Sequence, residues 1–92
     1  AYPFVLRDIA LWVPESISSD VILNIITQEG GELVRVKRLF DTFTKEFPEG
    51  KKTSYAFNLV FQSYEKTLSD DEVNMVMEKI QSTLTKKGFE VR

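Results

Sequence analysis

A carboxylate, an aromatic ring and several small side chains fall on one phase of three strand-like segments. Asp8 and Ala10 stand on the first, Asp41 and Phe43 on the second, Ser54 and Asn58 on the third. Successive side chains of a strand point to opposite faces, so each pair shares a face while bulky apolar neighbours take the other. A carboxylate accepts two hydrogens side by side, a ring offers a stacking surface, and small residues leave room between them. The set suits a flat ligand with paired donors on one edge. Covalent chemistry is poorly supplied. The chain has no histidine and no cysteine. That removes the commonest general base, the commonest metal ligand, thiolate nucleophiles and disulfides together.

Ninety-two residues, 42% hydrophobic and 28% charged, form one domain with a modest core. No apolar run reaches the roughly 18–20 residues of a membrane helix, and no secretory h-region opens the chain. A start at Ala1-Tyr2-Pro3 without methionine reads as a fragment of a larger protein, with the cytoplasm as its expected compartment. Net charge is -2, which does not announce a nucleic-acid binder. The distribution is uneven. Between Leu33 and Lys66 seven bases face four acids, leaving +3 there and -5 elsewhere. A local phosphate-facing patch is compatible with that asymmetry, as is an ordinary solvated surface.

The elements that must position these residues are legible from periodicity. Phe4 to Val13 reads as a strand with Val5, Ile9, Leu11 and Val13 on one side and Leu6, Asp8, Ala10 and Trp12 on the other, ended by Pro14. Ser18 or Ser19 caps a helix carrying Ile22, Ile25 and Ile26, and Gly30-Gly31 stops it. Leu33 to Phe43 reads as a second strand with Val34, Val36, Phe40 and Thr42 inward. Leu33, Arg35, Lys37, Leu39, Asp41 and Phe43 then face outward. Arg38 on the inward phase and Leu39 on the outward one call for a bulge or an early exit. Thr44 to Lys52 reads as a loop around Pro48 and Gly50.

Thr53 to Phe61 is the clearest strand, with Thr53, Tyr55, Phe57, Leu59 and Phe61 inward. Ser69 through Glu72 spells a capping box, followed by the stripe Val73, Val76, Met77, Ile80 and Leu84 of a long helix that stops at Gly88. Phe89 and Val91 suggest a short last strand. The order β-α-β-β-α-β predicts an α+β, ferredoxin-like sandwich: a four-stranded antiparallel sheet, order 4-1-3-2, with two helices on one face and the other face bare.

Six blocks occur along this frame: Arg7-Asp8-Ile9-Ala10-Leu11, Gly30-Gly31-Glu32-Leu33, Leu39-Phe40-Asp41, Pro48-Glu49-Gly50-Lys51-Lys52, Glu65-Lys66-Thr67-Leu68 and Asp71-Glu72-Val73. Their order and spacing resemble the ferredoxin-fold anticodon-binding domain at the C-terminus of the phenylalanyl-tRNA synthetase β subunit, bacterial type, over essentially the whole chain. The resemblance implies a non-catalytic module that holds the first anticodon guanine of phenylalanine tRNA on its sheet. By motif it implies base contacts from Ala10, Asp41, Phe43 and Ser54, with Phe43 where the family often has tyrosine. Phosphates would meet Arg35, Lys37, Lys51 and Lys52. It further implies that ATP and Mg are used elsewhere in the parent enzyme and not in this domain. The partners it implies are the anticodon stem-loop, other β-chain domains and an α subunit in an α₂β₂ assembly, with no membrane partner.

Each residue also has a plainer reading. Asp41 can cap a strand end, Phe43 can fold over the core edge, and Asp8 can pair with Arg7 or Lys52. Trp12 can contact another domain of the parent. Three rival functions stand beside the main one. An RNA-recognition motif would need outward aromatics on the third strand, where Tyr55 and Phe57 share the phase of Leu59 and Phe61. An acylphosphatase-type hydrolase would need a glycine-rich phosphate cradle near the first strand. A structural domain whose open sheet pairs with a partner needs nothing more.

Overall fold

A computed structural model describes residues 2–92; Ala1, part of the start that reads as a cut fragment, lies outside them. Strand β1 runs Val5–Pro14, helix α1 Ser19–Gly30, strand β2 Val34–Phe47, strand β3 Gly50–Phe61, helix α2 Asp70–Lys86 and strand β4 Glu90–Val91. The sheet order is β2-β3-β1-β4, with every pairing antiparallel. This is the expected four-stranded ferredoxin-like sandwich. No described helix is long and apolar enough to cross a membrane.

The core lies between the sheet and the helices. Ile9, Leu11 and Val13 of β1 and Phe57, Leu59 and Phe61 of β3 meet Ile22 and Ile26 of α1 and Val73, Ile80 and Leu84 of α2. Each is at most 3% exposed. Full burial of one such side chain contributes ~1.5–3 kcal/mol. Both helices start at serine caps as expected, but only Ser69 closes a capping box. Its Oγ accepts from the Glu72 amide, and the Glu72 carboxylate accepts from the Ser69 amide, both at 3.1 Å. Helix α1 ends at Gly31, whose φ of 63° and ψ of -156° only glycine adopts readily. A single 3₁₀ turn, Gly31–Leu33, then leads into β2.

The segment expected as a loop from Thr44 to Lys52 is mostly strand. β2 continues to Phe47, β3 begins at Gly50, and only Pro48-Glu49 turn between them. Thr44 Oγ1 and Thr53 Oγ1 meet at 3.1 Å across the extended hairpin.

The phase expected for β2 needs a larger correction. Register shifts fall between Val34 and Val36 and again between Leu39 and Asp41. Each inserts one residue and inverts the alternation. Val36 and Phe40, expected inward, are 49% and 45% exposed. Lys37 and Leu39, expected outward, pair with Leu59 and Phe57 and so share the helix-side face. The second shift restores the original phase, and Asp41 and Phe43 face outward opposite Ala56 and Ser54.

Candidate nucleic-acid interface

The bare face can be read in rows, because the register fixes which side chains stand abreast. One row is Asp41–Ala56–Ala10, and the Arg92 amide donates to the Ala10 carbonyl at 2.8 Å. The row therefore reads Asp41, Ala56, Ala10 across three strands and Arg92 just past the end of β4. Adjacent strands lie about 4.7–4.9 Å apart, so the backbones of Asp41 and Arg92 stand roughly 14 Å apart with two alanines between them. The Asp41 carboxylate is exposed, and among the described residues no side chain pairs with it in an ion pair. Ala10 is half-buried and Ala56 buried, so the alanines form a low floor between Asp41 and Arg92.

The next row toward the hairpin is Trp12–Ser54–Phe43. The Trp12 ring meets Phe43 edge-on at 5.3 Å and Phe47 at 5.0 Å between centroids. Ser54 sits beneath them, 1% exposed, and its Oγ accepts from the Arg92 guanidinium at 2.8 Å. The same guanidinium lies 4.8 Å from the Trp12 ring centre and 5.5 Å from that of Phe43. Ser54 thus has the expected outward phase without the expected exposure. Three larger side chains roof it.

On the other side stands Asp8–Asn58–Arg38. Asn58 Nδ2 donates to Asp8 Oδ1 at 2.7 Å, and Arg38 donates to Asn58 Oδ1 at 2.9 Å. The partner of Asp8 is therefore Asn58, not Arg7 or Lys52.

The bases expected to meet phosphate divide. Lys51 is exposed opposite Glu46 on the hairpin, on the opposite phase from Asp41 and Phe43. Lys52 pairs with Lys45, and both ammonium groups sit near the Phe47 ring, at 5.2 and 5.4 Å. Arg35 lies at the far end of β2, donating to the Gln62 carbonyl at 2.9 Å and stacked 3.9 Å above the Tyr64 ring centre. Lys37 belongs to the opposite face from Asp41, which corrects its outward placement. Three residues of the cluster lay outside the expected site: Lys45, Phe47 and Arg92. Continuing the phase of Asp41 and Phe43 would have found the first two. A two-residue last strand carries no periodicity that could have placed Arg92.

A protein-family model described as "Ferredoxin-fold anticodon binding domain" matches residues 1–92. The chain belongs to that family. Among curated proteins this family member is similar to phenylalanine–tRNA ligase beta subunits. That of Streptococcus mutans is 45% identical over 93 residues, covering 99% of the chain and 12% of the relative. That of Moorella thermoacetica is 40% identical over 87 residues, covering 94% and 11%. That of Clostridium tetani is 40% identical over 93 residues, covering 99% and 12%. The chain therefore spans only about a tenth of the length of these relatives.

Proposed function

We propose that this chain is the anticodon-binding module of a phenylalanine–tRNA ligase β chain and holds the first anticodon guanine of phenylalanine tRNA on its bare sheet face. The observation that carries this reading is the row Asp41–Ala56–Ala10–Arg92. Guanine presents N1–H and N2–H₂ on one edge, which a carboxylate accepts as a pair. It presents O6 and N7 on another, which a guanidinium fork meets. Adenine offers neither pattern. With the base over the alanines, Asp41 takes the donor edge and Arg92 the acceptor edge. Entry lifts the Arg92 guanidinium off Ser54 and exposes that hydroxyl. Phe43, 40% exposed, supplies a stacking face worth ~1–3 kcal/mol per base. Lys45 and Lys52 share the phase of Asp41 and Phe43 and stand beside the path of the same strand's backbone.

A single-stranded loop suits this open face, whereas a duplex hides the edges that Asp41 would read. The chain's own residues bind and select; they do not activate a nucleophile. Among the described residues no group of three Asp, Glu, His or Cys side chains is placed to hold a metal ion. Adenylation with ATP and Mg²⁺ and transfer to tRNA belong, on this reading, to another subunit of an α₂β₂ enzyme in the cytoplasm.

The test titrates the chain with a phenylalanine tRNA anticodon stem-loop and with versions whose first anticodon base is adenine or inosine. Inosine keeps N1–H and lacks the N2 amine. Guanine should bind best, and its preference over inosine should vanish in Asp41→Ala, while Arg92 keeps adenine disfavoured. Equal, salt-sensitive binding of all three loops would reduce the face to a basic patch without base reading.

A further inference from the structure

We infer that the sheet face also binds a free guanosine 5′-diphosphate, which competes with the anticodon; this rests on the reading of the Asp41 row as a guanine seat. Toward the hairpin that row is followed by Phe43–Ser54–Trp12 and then by Lys45–Lys52–Pro14. Rows repeat every two residues along a strand, about 6.8 Å, so the lysine backbones stand roughly 14 Å from the alanine floor. A guanosine 5′-diphosphate laid along the face puts its base on the alanines, its ribose over the Trp12 and Phe43 rings, and its phosphates toward the lysines. The charged groups lie close to that path. The Lys45 and Lys52 ammonium groups are 5.4 and 5.2 Å from the centre of the Phe47 ring, and that ring is 5.0 Å from Trp12.

The lysine pair is the observation that points beyond an RNA strand. Like charges directly abreast on neighbouring strands are unfavourable. Among the described residues Lys45 forms no ion pair, and that of Lys52 with Glu49 is 4.0 Å long. A lysine on an outer strand guards it against strand addition, which accounts for Lys45. It does not account for Lys52, whose strand β3 is paired on both sides and whose side chain is only 28% exposed. Two ammonium groups abreast match a group that carries close to two negative charges. A terminal phosphate carries roughly -1.5 to -2 at pH 7, whereas a diester inside a strand is singly charged. Two sources thus share one chemistry, guanine followed by phosphate, and the charge favours the free nucleotide at the lysines. Bound there, it withholds the guanine seat from tRNA. Aminoacylation by the enzyme carrying this chain is then slowed competitively with tRNA, and amino-acid activation is untouched.

The test titrates the full chain with GDP, ADP and guanosine by calorimetry, follows the fluorescence of Trp12, the only tryptophan, and repeats the titrations against a labelled phenylalanine tRNA anticodon stem-loop. GDP should bind roughly tenfold more tightly than guanosine, the equivalent of one charge-assisted hydrogen bond, and by a similar factor more tightly than ADP. It should displace the stem-loop. Lys45→Ala with Lys52→Ala should bring GDP down to the level of guanosine without changing the preference of guanosine over adenosine. A stem-loop bound with its first-base preference intact, but not displaced by GDP, would overturn the nucleotide site and leave the anticodon reading standing. GDP binding no better than guanosine, or unchanged in the double variant, would overturn the lysine pair as a phosphate seat. Equal binding of GDP and ADP would overturn the inference in favour of a phosphate patch, and a stem-loop without first-base preference beside it would overturn the guanine seat as well.

Discussion

At the scale of single residues, the face is organised by what is engaged and what is left free. Asp8 and Asn58 are bonded to each other, Ser54 is covered, and the Asp41 carboxylate is open. Asp41→Ala should therefore weaken aminoacylation of phenylalanine tRNA by the enzyme carrying this chain, while pyrophosphate exchange with phenylalanine stays near its original rate. A parallel fall in both would remove Asp41 from base reading. Arg92 is the counterpart at the other end of the row. Its guanidinium is shared between Ser54 and the Trp12 ring, so Arg92→Ala should expose Ser54 and cost affinity for guanine and inosine, which share O6 and N7, more than for adenine, read in the same titrations. Phe43→Tyr is expected to fold normally and keep its stacking, since the side chain already reaches solvent.

At the scale of elements, the caps and the β2 bulges decide most. Ser69→Ala removes an acceptor for the Glu72 amide and should cost about 0.5–2 kcal/mol in denaturant unfolding. The Glu72 carboxyl is held below its usual value of 4.5, first by its hydrogen bond with Lys66 and then by those from Ser69. Its Lys66 ion pair is 2.6 Å long. A carboxylate with a lowered folded pKa stabilises the fold above its unfolded pKa, and that contribution disappears as pH falls through the folded value. Acid unfolding of Glu72→Gln should thus show a shallower pH dependence below about pH 4.5 than the unsubstituted chain. Gly30 is a different constraint. A methyl group there would come within 2.6 Å of Val34 Cγ2, and Val34 is buried, so Gly30→Ala should destabilise by roughly 1–3 kcal/mol. These features were legible in the sequence to different degrees. The capping box and the alternation of Thr53 to Phe61 are local patterns, and both elements formed where the residues indicate. The β2 phase was not legible beyond its conflict at Arg38 and Leu39. A bulge is set by how a strand meets its neighbour, and the neighbour's register is not written in the strand itself. Asp41 and Phe43 emerged on the expected face because two inversions cancel.

At the scale of the whole molecule, the body measures 47 × 23 × 18 Å, and its long dimension matches the roughly 40 Å of a twelve-residue strand. The helices cover one side of this plank and leave the other as a continuous surface from Phe47 to Leu6. A net charge of -2 makes tRNA binding depend on local bases, so Lys45→Ala with Lys52→Ala should lower the slope of log affinity against log salt by about 0.7 for each phosphate no longer neutralised. Base preference at the first position should survive the double substitution, which separates positioning from selection. The two bulges of β2 have one more effect. β2 is an outer strand, and fourteen residues of regular edge would present an unbroken ladder of amides and carbonyls to any other extended chain. Interrupted at two places and flanked by Arg35, Lys37 and Lys45, that edge is a poor template for strand addition. A protein can therefore keep half of its sheet uncovered for RNA without recruiting copies of itself into fibrils.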